Sequence, residues 1–222
     1  MSSHFKLDSD VILLLQQRRS LLIRKGAEAD IYIGSWYGKT AISKIRSPKA
    51  YRNKVLDDRI RRVRTIHEAK FISHSKTAGV HSPFVYYVDS LNAEIIMEFI
   101  DGRNAKDILS SEICAKIGTC AAMLHRQHII HGDLTTSNFI FAKGNLFLID
   151  YGLSYYSQRV EDRATDIRLI KQVFGSVHSG ADEKLYNSFL QGYSITAGNG
   201  ETKKILRQLT EVESRGRYSG TP

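Results

Sequence analysis

Three oxygen-bearing side chains stand in a spacing that suits a hard divalent cation. Asp133 and Asn138 flank the irregular stretch His131-Gly-Asp-Leu-Thr-Thr-Ser-Asn138, and Asp150 follows twelve residues after Asn138 in Asp150-Tyr-Gly152. Strand-like runs at 139–142 and 146–149, with a hairpin turn expected at Gly144-Asn145, lie between them. That hairpin returns the chain so that Asp150 ends beside Asp133 and Asn138. Two carboxylates and an amide oxygen, with no softer partner, form the ligand set that Mg²⁺ requires. Taken one at a time, Asp133 and Asn138 read as ordinary turn residues. Their joint spacing, with an apolar hairpin ahead of Asp150, marks a site.

The elements that must position these groups follow from periodicity. The N-terminal third alternates like a β-meander at 21–25, 31–36 and 40–45, broken at Gly26 and at Tyr37-Gly38. From 57 to 76 no glycine or proline occurs, and Ile60, Val63, Ile66, Ala69 and Phe71 or Ile72 recur at helical spacing, with Gly79 as the stop. Strands are expected at 84–89 and 94–100, turning at Leu91-Asn92. Asp101-Gly102 breaks the pattern, which divides the chain into residues 1–100 and 101–222. A helix is expected over 110–127 with Ser111 as its cap, and further helices near 161–177, 182–193 and 201–214. Strands with one embedded long helix, followed mostly by helices, make an α+β chain.

The run His131-Gly-Asp133…Asn138 with Asp150-Tyr-Gly152 resembles the protein-kinase catalytic loop H-R-D-x-x-x-x-N and its D-F-G sequel. The resemblance implies a two-lobed kinase-like fold with a reduced, mostly helical C-lobe, and ATP with Mg²⁺ in the cleft. Asp133 would accept or orient the proton of the substrate hydroxyl, and Asn138 and Asp150 would hold the metal. Ala41-Ile-Ser-Lys44 resembles V-A-I-K, so Lys44 would contact the α- and β-phosphates, paired with Glu68, which lies 24 residues on. Gly26-Ala27-Glu28-Ala29 stands where the phosphate-covering loop belongs, with Arg24 and Ala29 in place of two of its glycines. Ile23 and Ile31 would pack on the base. Ile96-Met97-Glu98-Phe99-Ile100 resembles a kinase hinge, with Met97 as gatekeeper and backbone groups of Glu98 and Ile100 bonding the adenine edge.

Departures from the common kinase pattern narrow the resemblance. Gly132 replaces the usual arginine, and no A-P-E motif follows Asp150-Tyr-Gly before Asp162. With Lys25-Gly26-Ala-Glu-Ala, Pro48-Lys-Ala-Tyr-Arg52, Arg64-Thr-Ile-His-Glu68-Ala and Glu161-Asp162-Arg-Ala-Thr-Asp166, the chain resembles the KEOPS-complex kinases. These are small atypical, RIO-related kinase/ATPases of the tRNA threonylcarbamoyladenosine machinery. Membership implies Ser/Thr kinase or ATPase activity, a transferase subunit on the C-lobe, a small regulatory subunit on the N-lobe, and tRNA reached through the complex. Arg215-Gly216-Arg217 resembles the family's basic C-terminal motif, although Tyr218-Ser-Gly-Thr-Pro follows it. Two rivals stay open: an ATP-binding scaffold that switches conformation without phosphorylating, and a small-molecule kinase, for which this C-lobe is short.

Composition bounds the rest. A net charge of +9 favours phosphate-rich partners, and its densest cluster is Arg59, Arg61, Arg62 and Arg64, which also reads as a solvated helix face. Cys114 and Cys120 share no helix face and no metal-ligand pattern, which suggests a reducing compartment. The longest apolar run, residues 11–15, is too short for a membrane span, and Asp8 and Asp10 ahead of it do not suit a secretory signal, leaving the cytoplasm as the expected location. His125, His128 and His131 read as core, surface and loop scaffolding rather than a metal stripe. Tyr155 and Tyr156 are expected to fill space, and Asp162 and Asp166 to cap and brace.

Overall fold

The computed structural model describes residues 21–177 and 182–218, the side chains of 176–177, 182 and 215–218 excepted. The apolar run at 11–15 lies outside the described residues, as do the side chains of the 215–217 motif. No helix among the described residues is long and apolar enough to cross a membrane. The described chain groups into two compact units, residues 21–70 with 83–99, and residues 71–82 with 100–177 and 182–218.

The first unit is an antiparallel five-stranded sheet with most of a long helix. Strands β1 (Leu21–Lys25), β2 (Asp30–Trp36), β3 (Lys39–Ile45), β4 (Val85–Asp89) and β5 (Glu94–Glu98) lie in the order β1-β2-β3-β5-β4. Tyr37 and Gly38, both at positive φ, make the two-residue turn that pairs Trp36 with Lys39. Strand β5, flanked by β3 and β4, is buried from Glu94 to Met97.

Helix α1 (Lys54–Thr77) begins three residues earlier than periodicity suggests. Asn53 Oδ1 accepts the amides of Val55 and Leu56 and caps it. Asp57, expected at the start, is instead a buried ion-pair residue between Arg52 and Arg61. The apolar positions divide: Ala69, Phe71 and Ile72 are buried, whereas Val63 and Ile66 are exposed. Over residues 54–68 the buried positions are Asp57, Thr65 and Glu68 instead.

The second unit takes the last turns of α1, which stop at Gly79 in the left-handed region, where Val80 N donates to Ser75 O at 3.0 Å. It contains helices α2 (Ser111–Arg126), α3 (Val160–Val177), α4 (Asp182–Ala197) and α5 (Asn199–Tyr218). Short strands β6 (Arg103–Asn104), β8 (Phe139–Ala142) and β9 (Asn145–Leu148) form one small sheet, and β7 (Ile129–Ile130) pairs with β10 (Tyr155–Tyr156) in another. The β8–β9 turn is Lys143-Gly144, one residue earlier than Gly144-Asn145, because Asn145 already pairs with Ala142. Ser110, not Ser111, caps α2, its Oγ accepting Ile113 N at 3.2 Å. Tyr155 and Tyr156 do not fill the interior; both are exposed on β10.

Helices α2 and α4 meet backbone to backbone. A Cβ on Gly118 would stand 2.0 Å from the Phe189 carbonyl oxygen, and one on Gly192 would stand 1.9 Å from that of Ala115. Phe189, Tyr193, Phe174 and Ile117 are fully buried in this unit.

Candidate active site

In the first unit, alternation along β3 sends Lys44 and Arg46 to one side of the sheet, and both are buried. Glu68 of α1 receives both cations. Lys44 Nζ donates to Oε1 at 2.6 Å and Arg46 Nη2 to Oε2 at 2.6 Å. Two buried cations sharing one buried carboxylate make a charge cluster that stands only as a set. Sequence reading found Lys44 and Glu68 and missed Arg46, although its place two residues beyond Lys44 was the available signal.

The loop before β2 is shaped by its one glycine: a Cβ on Gly26 would lie 2.4 Å from Ala29 O. Glu28 pairs with Arg64 at 2.6 Å and stands 3.7 Å from Arg46, so its carboxylate is tied to neighbouring cations. Lys49 Nζ donates to Ala27 O, and Ala29 is buried. Ile23 is largely exposed on β1, and Ile31 sits opposite Lys44 on the neighbouring strand. Met97 is buried on β5, and Glu98 N donates to Phe84 O at 2.8 Å.

In the second unit, Ile100 is buried, and Asp133 and Asn138 are hydrogen-bonded to each other. Asn138 Nδ2 donates to Asp133 O at 2.8 Å and to Asp133 Oδ2 at 3.0 Å, which turns the amide oxygen the other way. Ile149 N donates to Asn138 O at 2.8 Å, which ties the residue before Asp150 to Asn138. Asp150 itself has φ +68°, a backbone region that non-glycine residues seldom occupy, and its Oδ1 accepts Gly152 N at 3.1 Å.

One buried carboxylate fixes the loop. Asp166 of α3 accepts His131 N at 2.7 Å and Gly132 N at 2.9 Å. Burial opposes its charge, but the hydrogen bond and charge of His125 and the influence of His131 outweigh that, so its pKa is held below the ordinary carboxylate value. His131 is buried as well. Burial lowers its pKa despite Asp166, Asp150 and Asp133, and its Nδ1 accepts Asp133 N at 3.3 Å. Gly132 has φ +79°, and a Cβ there would fall 2.4 Å from Leu153 O. That contact explains why no arginine stands at this position.

Tyr151 between the aspartate and glycine is fully buried. Its hydroxyl lies 2.7 Å from Ser82 Oγ, which lies 2.7 Å from Ser75 Oγ at the end of α1. Asp162, in the first turn of α3, accepts Ser157 Oγ at 2.5 Å. His128 sits at a turn with φ +58°. Among the described residues no cluster of three or more His, Cys, Asp or Glu side chains stands ready for a metal, so a cation here would rely on the amide oxygen of Asn138 beside carboxylates.

The chain matches the RIO domain family over residues 39–182. It is 41% identical over 198 residues to a probable bifunctional tRNA threonylcarbamoyladenosine biosynthesis protein of Methanobrevibacter smithii, covering 89% of this chain and 37% of that protein. It thus spans little more than a third of the length of such bifunctional relatives. It is 35% identical over 210 residues to the KEOPS complex subunit Bud32 of Pyrococcus abyssi, covering 89% of this chain and 96% of that one. Its fold is similar to the Rio2 kinase–ADP/Mg²⁺–phosphoaspartate complex of Chaetomium thermophilum, with a TM-score of 0.60 and 16% identity over 88% of this chain and 70% of that one.

Proposed function

The chain belongs to the RIO-domain family and, within it, to the KEOPS-complex kinases, and from that premise we propose that it is a Mg-ATP-dependent Ser/Thr kinase or ATPase supporting threonylcarbamoyladenosine modification of tRNA. Residues 1–100 form its N-lobe and 101–222 its C-lobe in this reading. The observation that carries it is the Asp133–Asn138 contact at 3.0 Å on a loop pinned by Asp166.

Asn138 and Asp150 would hold Mg²⁺, which when bound neutralises charge on the phosphates. Lys44, oriented by Glu68, would meet the α- and β-phosphates. Asp133 would orient the attacking hydroxyl or water and take its proton. The loop from Gly26 to Ala29 would cover the phosphates, Ile23 and Ile31 would flank the base, and Met97, Glu98 and Ile100 would border the adenine. The work of these residues is placement and charge compensation rather than covalent chemistry.

The relatives' names support membership of a tRNA-modifying complex. In this reading a transferase subunit would sit at the C-lobe, a small regulatory subunit at the N-lobe, and tRNA would be reached through the complex. Two free, buried cysteines suit a reducing compartment such as the cytoplasm. The test is γ-labelled ATP given to the full chain with Mg²⁺, alone and with copurified partners and tRNA. Release of phosphate or a labelled protein is expected. The absence of both products under all of these conditions would overturn this reading in favour of a scaffold or a small-molecule kinase.

A further inference from the structure

The bond network around Asp166 does not end at the catalytic loop. His125 of α2 is buried, and its Nε2 lies 3.2 Å from Asp166 Oδ2. On its other side, His125 Nδ1 lies 2.7 Å from the hydroxyl of Tyr193 on α4. Tyr193 is fully buried, its ring edge-on to His125 at 5.6 Å and stacked on Phe189 at 6.2 Å. The close approach of α2 and α4 at Gly118 and Gly192 leaves this tyrosine little room to withdraw, since Gly192 is its neighbour in the chain.

For a neutral imidazole at His125, donor and acceptor counting sets the direction of each bond. Asp166 is held ionised, so it only accepts. It takes the His131 and Gly132 amides, and from His125 it must take an N–H. A neutral His125 with hydrogen on Nε2 has an acceptor at Nδ1, which requires a donor. Burial raises the Tyr193 pKa, so its hydroxyl keeps that proton.

We propose that Tyr193 is a positioning residue for Asp133, its hydroxyl fixing His125 as the Nε2–H tautomer that Asp166 needs while it holds the loop backbone. A flipped tautomer would present a lone pair to Asp166. The carboxylate would then turn from the His131 and Gly132 amides, and Asp133 begins at the next residue. The inference deepens the kinase reading and rests on it for the rate measurement alone.

Tyr193→Phe in the full chain keeps the ring and its packing and removes the donor. ¹⁵N spectra of histidine-labelled protein should show His125 neutral with its hydrogen on Nε2, and a mixture of tautomers in the variant. ATP turnover should fall about tenfold, with KM for ATP changed by less than about twofold. A purely structural tyrosine would lower stability without this split. The inference is overturned if wild-type His125 carries its hydrogen on Nδ1 or is doubly protonated, or if the variant keeps wild-type turnover. Absence of wild-type turnover would count against the kinase reading, while the tautomer spectra would still decide this one. Should the variant fail to fold, the wild-type spectrum decides by itself.

Discussion

Glu68 on α1 binds Lys44 and Arg46 of β3 with its two carboxylate oxygens, each at 2.6 Å and all three side chains buried. One anion therefore serves two buried cations, and the three residues should fail together. Glu68→Gln keeps the shape and removes the charge. We expect a loss of about 3–5 kcal/mol in urea unfolding, larger than that from Lys44→Met, which leaves Arg46 its partner. Equal losses would show that Arg46 does not depend on Glu68.

Asp133→Ala should lower turnover by about 10²–10⁴ with little change in KM for ATP if, as proposed, Asp133 acts on the attacking proton rather than on nucleotide binding. Steady-state ATP hydrolysis and phosphate release measure it. A variant with raised KM and wild-type turnover would move Asp133 from chemistry to binding.

Gly132→Ala meets two obstacles, a φ of +79° and the Leu153 carbonyl oxygen 2.4 Å from the new Cβ. The loop must shift, at about 1–3 kcal/mol for the backbone alone. Thermal unfolding should report the loss, and turnover should fall too because Asp133 adjoins the shift. Gly144→Ala is the control: its φ is +80° but nothing lies within 4 Å, so only stability should respond.

Acid should weaken the fold from below about pH 6.5, and the sign follows from His131 and His67. Burial lowers both pKa values from the ordinary 6.5, joined at His67 by Lys70 and Arg46. The unfolded chain then binds protons that the folded chain refuses, so stability is full above 6.5 and falls as the pH drops toward the folded values. Asp166 continues the trend. Its pKa lies below 3.8, so its contribution is present above that pH and lost as the pH falls further. Urea midpoints between about pH 8 and about pH 5 check the histidines. A midpoint that rises on acidification would contradict this.

Tyr151→Phe removes a buried hydroxyl but leaves Ser75 and Ser82 bonded to each other. A cost of about 1 kcal/mol is expected from chemical denaturation, with turnover retained.

The Asp133–Asn138 contact was legible because it is local: the two residues stand five apart, and the β8–β9 hairpin brings Ile149 back to Asn138. Lys44 and Glu68 were legible only through a family resemblance, since nothing in a strand or helix pattern pairs residues 24 apart. Turn and cap positions shifted by one where neighbours compete. Adjacent Ser110 and Ser111 can both cap, and Lys143 takes a positive φ that its residue type does not advertise. Asp57 looked like a helix start and proved to be an ion-pair residue, which only Arg52 and Arg61 brought beside it reveal. Tyr193 carried no signal at all, because its partner His125 lies 68 residues away on another helix.

The most direct test is single-turnover hydrolysis of γ-labelled ATP by the full chain and its Asp150→Asn variant, with and without Mg²⁺. The account predicts magnesium-dependent turnover in the wild type and a rate at least about a hundredfold lower in the variant. Equal rates in the two proteins, or turnover indifferent to magnesium, would contradict it.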